Sequence, residues 1–207
     1  GHVRVYKYVS NSWSQLGSDI DGEVAYDYSG YSVSLSSDGL TVAISAPYND
    51  GNGNKSGHVR IYKYGLEDWS QLGSDIDGEA AYDYSGTSVS LSADGLTVAI
   101  GAPYNDGNDY YNGHVRVYKY TSNDWSQLGS DIDGEAACDE SGRSVSLSVD
   151  GLTAAIGAWG NDGNGLRSGH VRIYKYVFNS WSQLGSDIDG EDAGDKSGYS
   201  VSLSADG

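Results

Sequence analysis

The chain has 207 residues, 30 of them Gly and only 38% apolar, and carries a formal net charge of −17. That acidity excludes nucleic acid and anionic lipid as partners, since both need a basic face, and no apolar run is long enough for membrane insertion. Disorder is excluded because β-branched and aromatic residues recur at regular spacing, and the single Cys138 allows no intrachain disulfide.

The opening stretch GHVRVYKY returns at Gly57, Gly113 and Gly169, which sets a 56-residue repeat. A period of that length points to propellers or arrays. The stretch reads as a strand, and the short turn VSNS leads to a second strand-length segment, WSQLGSDI, from Trp13. An acidic loop, DGEVAYDYSG, follows. SVSLS from Ser32 then alternates cleanly, with Val33 and Leu35 on one face and serines on the other. Asp38-Gly39 supplies a tight hairpin into LTVAISAP. There Leu40, Val42 and Ile44 share a face opposite the small Thr41, Ala43 and Ser45, as suits strands crowded near an axis. The loop PYNDGN closes the unit. Four antiparallel strands repeated without insertion predict an all-β β-propeller of four-stranded blades, with SVSLS first and WSQLGSDI fourth. The chain reads as one array with repeat starts at 1, 57, 113 and 169: three full repeats plus a partial one, part of a longer propeller.

Two acidic patterns are candidate ligand sites. The SDIDGE loops supply Asp19, Asp21, Glu23 and Asp27, then Asp75, Asp77, Glu79 and Asp83. The later copies are Asp131, Asp133, Glu135 and Asp139, then Asp187, Asp189, Glu191 and Asp195. Alternating carboxylates around a Gly turn offer oxygen ligands to Ca²⁺; the structural alternative is turn-capping Asp and solvated Glu. The NDGN loops supply a candidate ligand-binding rim: Asn49, Asp50 and Asn52; Asn105 and Asp106 with Tyr110 and Tyr111; Asn161 and Asp162 with Arg167 and Trp159. The alternative is ordinary turn chemistry and drift in exposed loops. The Trp of WSQLG offers a sugar-stacking face, or packs between blades. The histidines of GHVR occur in every repeat and so read as structural. Asn54-Lys55-Ser56 is an N-glycosylation sequon, with Asn54 as acceptor.

SGYSVSLSSDGLTVAISAPYNDGN and SGTSVSLSADGLTVAIGAPYNDGN resemble the FG-GAP repeat, the blade motif of the integrin α-subunit propeller. The "GAP" is literal at Gly101-Ala102-Pro103, while Ser takes the place of Phe at Ser29-Gly30 and its equivalents. The resemblance implies an extracellular or cell-surface propeller linked with adhesion or ligand binding, and some similar propellers are lectins. The family's calcium loop between the first two strands is here a short "DG" turn, so calcium at that place is not implied. No nucleophile elbow, zinc-protease helix motif or phosphate loop is present. The expectation is therefore a non-enzymatic module for adhesion, structure or protein interaction; the alternative is a carbohydrate-binding propeller using rim loops and aromatics. Its expected partners are a protein or glycan ligand, or copies of itself. No cofactor is expected to be required, with Ca²⁺ the one candidate.

Overall fold

The computed structural model describes residues 1–207, and strands and turns account for all its regular structure. One sheet order occurs three times. In the first sheet, Val33–Leu35, Thr41–Ala46, His58–Tyr64 and Trp69–Gln71 pair antiparallel in succession, and Ile76–Asp77 pairs with the His58 end of the third strand. The second sheet repeats this with Ser88–Leu91, Thr97–Ala102, His114–Thr121, Asp124–Gln127 and Ile132–Asp133. The third does so with Ser144–Leu147, Thr153–Ala158, His170–Val177, Ser180–Gln183 and Ile188–Asp189. Before them, Tyr6–Val9 pairs with Ser12–Gln15 and His2–Val3 with Ile20–Asp21, the outer part of a further blade.

The expected fourth strand WSQLGSDI is not continuous. It splits into two short pieces on either side of an outward bulge, and the glycine in that bulge explains why. Gly73 and Gly129 have φ of +78° and +81°, a region that side chains resist and glycine enters freely. The turn aims the preceding carbonyl at the next blade. Trp69 Nε1 donates to Leu16 O, Trp125 Nε1 to Leu72 O and Trp181 Nε1 to Leu128 O, each at 2.6 Å. These Trp residues therefore pin blade to blade instead of offering a free stacking face.

The first strands succeed one another around an axis, linked by their serines. Leu91 N donates to Ser34 Oγ, Leu147 N to Ser90 Oγ and Leu203 N to Ser146 Oγ, at 2.9–3.0 Å. The polar face of SVSLS thus satisfies the edge N–H groups of the neighbouring blade, which would otherwise be left exposed. The apolar face fills the seams. Ala43, Val59, Ile61 and Ile76 of one sheet pack on Val89, Leu91, Val98 and Ile100 of the next, and the same layer recurs one blade on. Each such buried Val, Leu or Ile contributes about 1.5–3 kcal/mol. The second strands are buried along their whole length. The molecule is a run of propeller blades whose core lies between the blades.

Candidate functional site

Among the residues held in left-handed backbone, two repeat positions face one end of the blades. Lys55, Tyr111 and Arg167 have φ of 50–53°, and Tyr84, Glu140 and Lys196 have φ of 51–54°. Each pair is tied by one backbone bond: Tyr84 N donates to Lys55 O, Glu140 N to Tyr111 O and Lys196 N to Arg167 O. Asp50, Asp106 and Asp162 accept the N–H of Lys55, Tyr111 and Arg167 at 2.7 Å. Such backbone is costly for residues with a Cβ, and it persists only where the surroundings enforce it. Here it turns large side chains toward one end of the blades.

At that end the rings meet. Tyr28, Tyr48, Tyr84, Tyr104, Tyr111 and Tyr110 form an unbroken run, with centroids 3.9–5.3 Å apart. Tyr31, Tyr48, Tyr84, Tyr104, Tyr111 and Arg143, with Pro47 and Thr87, line a cavity of about 270 Å³. Arg143 stands where earlier repeats carry Tyr31 and Thr87. Its guanidinium lies 6.0 Å from the Trp159 ring and 5.3 Å from that of Tyr199. Trp159 Nε1 donates to Glu140 Oε2 at 2.8 Å. Burial, then the Glu140 charge, raises the Tyr104 hydroxyl above its ordinary range, so it stays protonated and able to donate.

The cations are distributed unevenly. Of the 12 Lys and Arg, all but Lys55, Arg143, Arg167 and Lys196 sit in the repeated GHVR(V/I)YKY strand. Those four all face rings of this mouth. Lys55 lies over Tyr48 and Tyr84, and Arg167 and Lys196 join Arg143 over Trp159. The site is an aromatic cavity with positive charge, on a molecule that is acidic elsewhere.

A family model described as "FG-GAP repeat" matches residues 20–62, 75–118 and 131–178. The chain belongs to the FG-GAP repeat family. No curated protein matches it by sequence. Among solved structures, a protein assigned as a 6-phosphogluconolactonase from Bacteroides uniformis is similar at TM-score 0.59 and 11% identity, with 90% of this chain and 51% of that one covered. Sqt1 of Saccharomyces cerevisiae is similar at 0.50 and 13%, with 81% and 38% covered. The periplasmic gluconolactonase PpgL of Pseudomonas aeruginosa is similar at 0.49 and 15%, with 92% and 65% covered. The FG-GAP chain thus spans about half the length of the first of these. At such identities the likeness shows the fold alone.

One expectation is corrected by this comparison. The chain was expected to be non-enzymatic because no catalytic motif appears in sequence. Yet its fold is shared by a protein assigned as a 6-phosphogluconolactonase. Propeller sites are assembled from side chains on different blades, which no linear motif records, so the missing motif is no evidence against catalysis.

The residues expected to act fall into separate places in this FG-GAP chain. Asn49, Asn105 and Asn161 are buried inside their loops. Each donates to Asp27, Asp83 or Asp139 of the acidic loop before it and accepts from a backbone N–H two residues on. Asn52 Nδ2 donates to Gly78 O, and Asn164 does the same to Gly190 O. Asn108 instead reaches Asp133 Oδ2 at 2.7 Å. Tyr111 and Trp159 are at the mouth, Tyr110 stacks on Tyr111, and Asn54 is exposed. Asp19 accepts from Arg4 and Gln15, and Asp75, Asp131 and Asp187 accept from Gln71, Gln127 and Gln183. Asp21, Asp77, Asp133 and Asp189 pair in register with the GHVR histidines. Asp195 accepts from Asp192 N, and Glu191 is exposed. Glu23, Glu79 and Glu135 instead reach the next blade, 3.8–4.0 Å from its histidine. Sequence reasoning missed Tyr31, Tyr48, Tyr84, Tyr104 and Arg143. Laying the repeats over one another would have flagged Arg143, because it breaks the repeat.

Proposed function

We propose that the mouth recognises an anionic carbohydrate and that the chain serves as a ligand-recognising propeller surface. One observation carries the reading: every cation outside the repeated strand is gathered on the aromatic mouth, on a chain of net charge −17. Tyr and Trp faces receive the C–H faces of sugar rings, and their hydroxyl and indole N–H groups serve polar rims. Arg143 supplies a planar fork suited to a carboxylate or sulfate. The cavity of about 270 Å³ is near the lower end for small-ligand sites, sized for one or two sugar units. Glycan recognition of this kind suits an extracellular or surface role in adhesion.

The test is titration calorimetry with oligouronates and with neutral oligosaccharides of equal length. Uronates are expected to bind and neutral sugars to bind more weakly, with Arg143→Ala reducing uronate affinity about tenfold or more. Equal affinity for both series, or an unchanged Arg143→Ala protein, contradicts the reading. Product analysis on the same samples reports whether the bound sugar is also turned over.

A further inference from the structure

The blade seams carry a second cluster, independent of the mouth. Each complete third strand opens with a buried histidine: His58, His114 and His170 have side chains 2%, 2% and 1% exposed. Its Nδ1 faces two carboxylates, one from each side of the seam, and at His170 a third. Around His58, Glu23 Oε2 and Asp75 Oδ2 both lie at 3.8 Å. Around His114, Glu79 Oε2 lies at 3.9 Å and Asp131 Oδ2 at 3.8 Å. Around His170, Glu135 Oε2 is at 4.0 Å, Asp187 Oδ2 at 3.8 Å and Asp189 Oδ1 at 4.0 Å. Every one of these distances is too long for a hydrogen bond. The imidazole is thus aimed between carboxylates from both sides of the seam with its Nδ1 hydrogen-bonded to neither. His170 Nε2 is without a partner as well.

We propose that each Glu–His–Asp triad binds one divalent transition-metal ion of the zinc class, held across the seam between consecutive blades. The donor set is one imidazole nitrogen and two carboxylate oxygens, which suits zinc-class ions. Calcium instead takes six to eight oxygens. The ligand atoms of each triad lie within 4.8 Å of one another. Ligands about 2.1 Å from one ion at tetrahedral angles lie about 3.4 Å apart, so each histidine–carboxylate gap needs to close by about half an ångström and no gap in a triad by more than about 1.4 Å. The Glu side chains are half exposed and free to make that move.

The neighbouring arginines do not block the ion. Arg60, Arg116 and Arg172 approach Oε1 of Glu23, Glu79 and Glu135 at 3.3–3.6 Å, leaving Oε2 turned to the imidazole. The same arginines donate to Asp21 O, Asp77 O and Asp133 O, which fixes their position. Each thus acts as a positioning residue for its glutamate. Burial holds all three imidazoles below their ordinary pKa, so they are neutral and able to ligate at pH 7.

The test is ZnCl₂ titration of the whole chain by calorimetry in chelator-free buffer, with thermal unfolding alongside. The expected result is three ions per chain, one for each triad, a raised Tm, and no comparable response to CaCl₂. Glu79→Gln keeps the side-chain size at a half-exposed position and is expected to lower the stoichiometry from three to two. Co²⁺ used as a spectroscopic probe is expected to lose about a third of its visible absorption in that variant, in proportion to the lost site. No Zn²⁺ binding overturns the proposal. So does an unchanged stoichiometry in Glu79→Gln, which would place the ions on exposed carboxylates elsewhere, or an equal response to Ca²⁺.

Discussion

His114 is the residue whose environment departs furthest from that of a free side chain. Burial lowers its pKa from 6.5 to about 4, with Arg116 adding to the effect and Asp131 opposing it. His58 and His170 shift the same way, also chiefly through burial. Without metal, His114 takes up a proton below pH 6.5 in the unfolded chain but only near pH 4 in the folded one. Stability is therefore expected to fall as pH drops through that window, by up to about 1.4 kcal/mol per pH unit from His114, with His58 and His170 acting in the same direction. Burial raises the carboxyls of Glu79, Asp83 and Asp133, and their early protonation in the folded state softens the fall at its acid end. Urea unfolding of metal-free protein at pH 7 and pH 5 checks this, and equal midpoints would contradict it. These histidines were legible in the sequence only as repeated and structural. Their carboxylate neighbours include a residue of another repeat, and no local spacing brings Glu23 to His58.

At the scale of the element, one turn separates conformational strain from blade contact. Gly39 and Gly95 close equivalent hairpins with φ of +70° and +72°. A Cβ at Gly39 meets nothing within 4 Å, whereas one at Gly95 comes to 2.7 Å from Thr41 Cβ on the neighbouring blade. Gly39→Ala is expected to cost about 1 kcal/mol from the left-handed backbone alone. Gly95→Ala adds a clash in a close-packed seam, typically about 1–3 kcal/mol more. Thermal melts of the two variants measure the difference, and equal losses would mean the seam is looser than described. The alternation of SVSLS and LTVAI, joined by Asp-Gly, made these strands legible, because a half-buried or buried strand imposes that pattern. The break in WSQLGSDI was not legible. Its glycine bulge serves a Trp of the next repeat, and a single strand's periodicity says nothing about its neighbour.

Across the whole molecule, residues present in every repeat build the seams, while the mouth joins rings shared by two repeats, Tyr28 with Tyr84 and Tyr48 with Tyr104, to residues that occur once. Trp69, Ser34 and Ile61 recur because every seam needs the same bonds and the same filling. Arg143, Trp159 and Tyr111 stand where other repeats differ, and they meet at one end of the blades. The propeller was legible because it is written several times over. The mouth was only half legible: its rim loops could be named, but the ring run joins side chains far apart in the chain. The most direct test of this division is amide chemical-shift mapping during titration with an oligouronate. Shifts confined to residues around Tyr48, Tyr84, Tyr104, Tyr111 and Arg143, with the seam residues around Trp125 and Ser90 unmoved, are what the account predicts. Shifts centred on the seams or the outer strands, with the mouth silent, would contradict it.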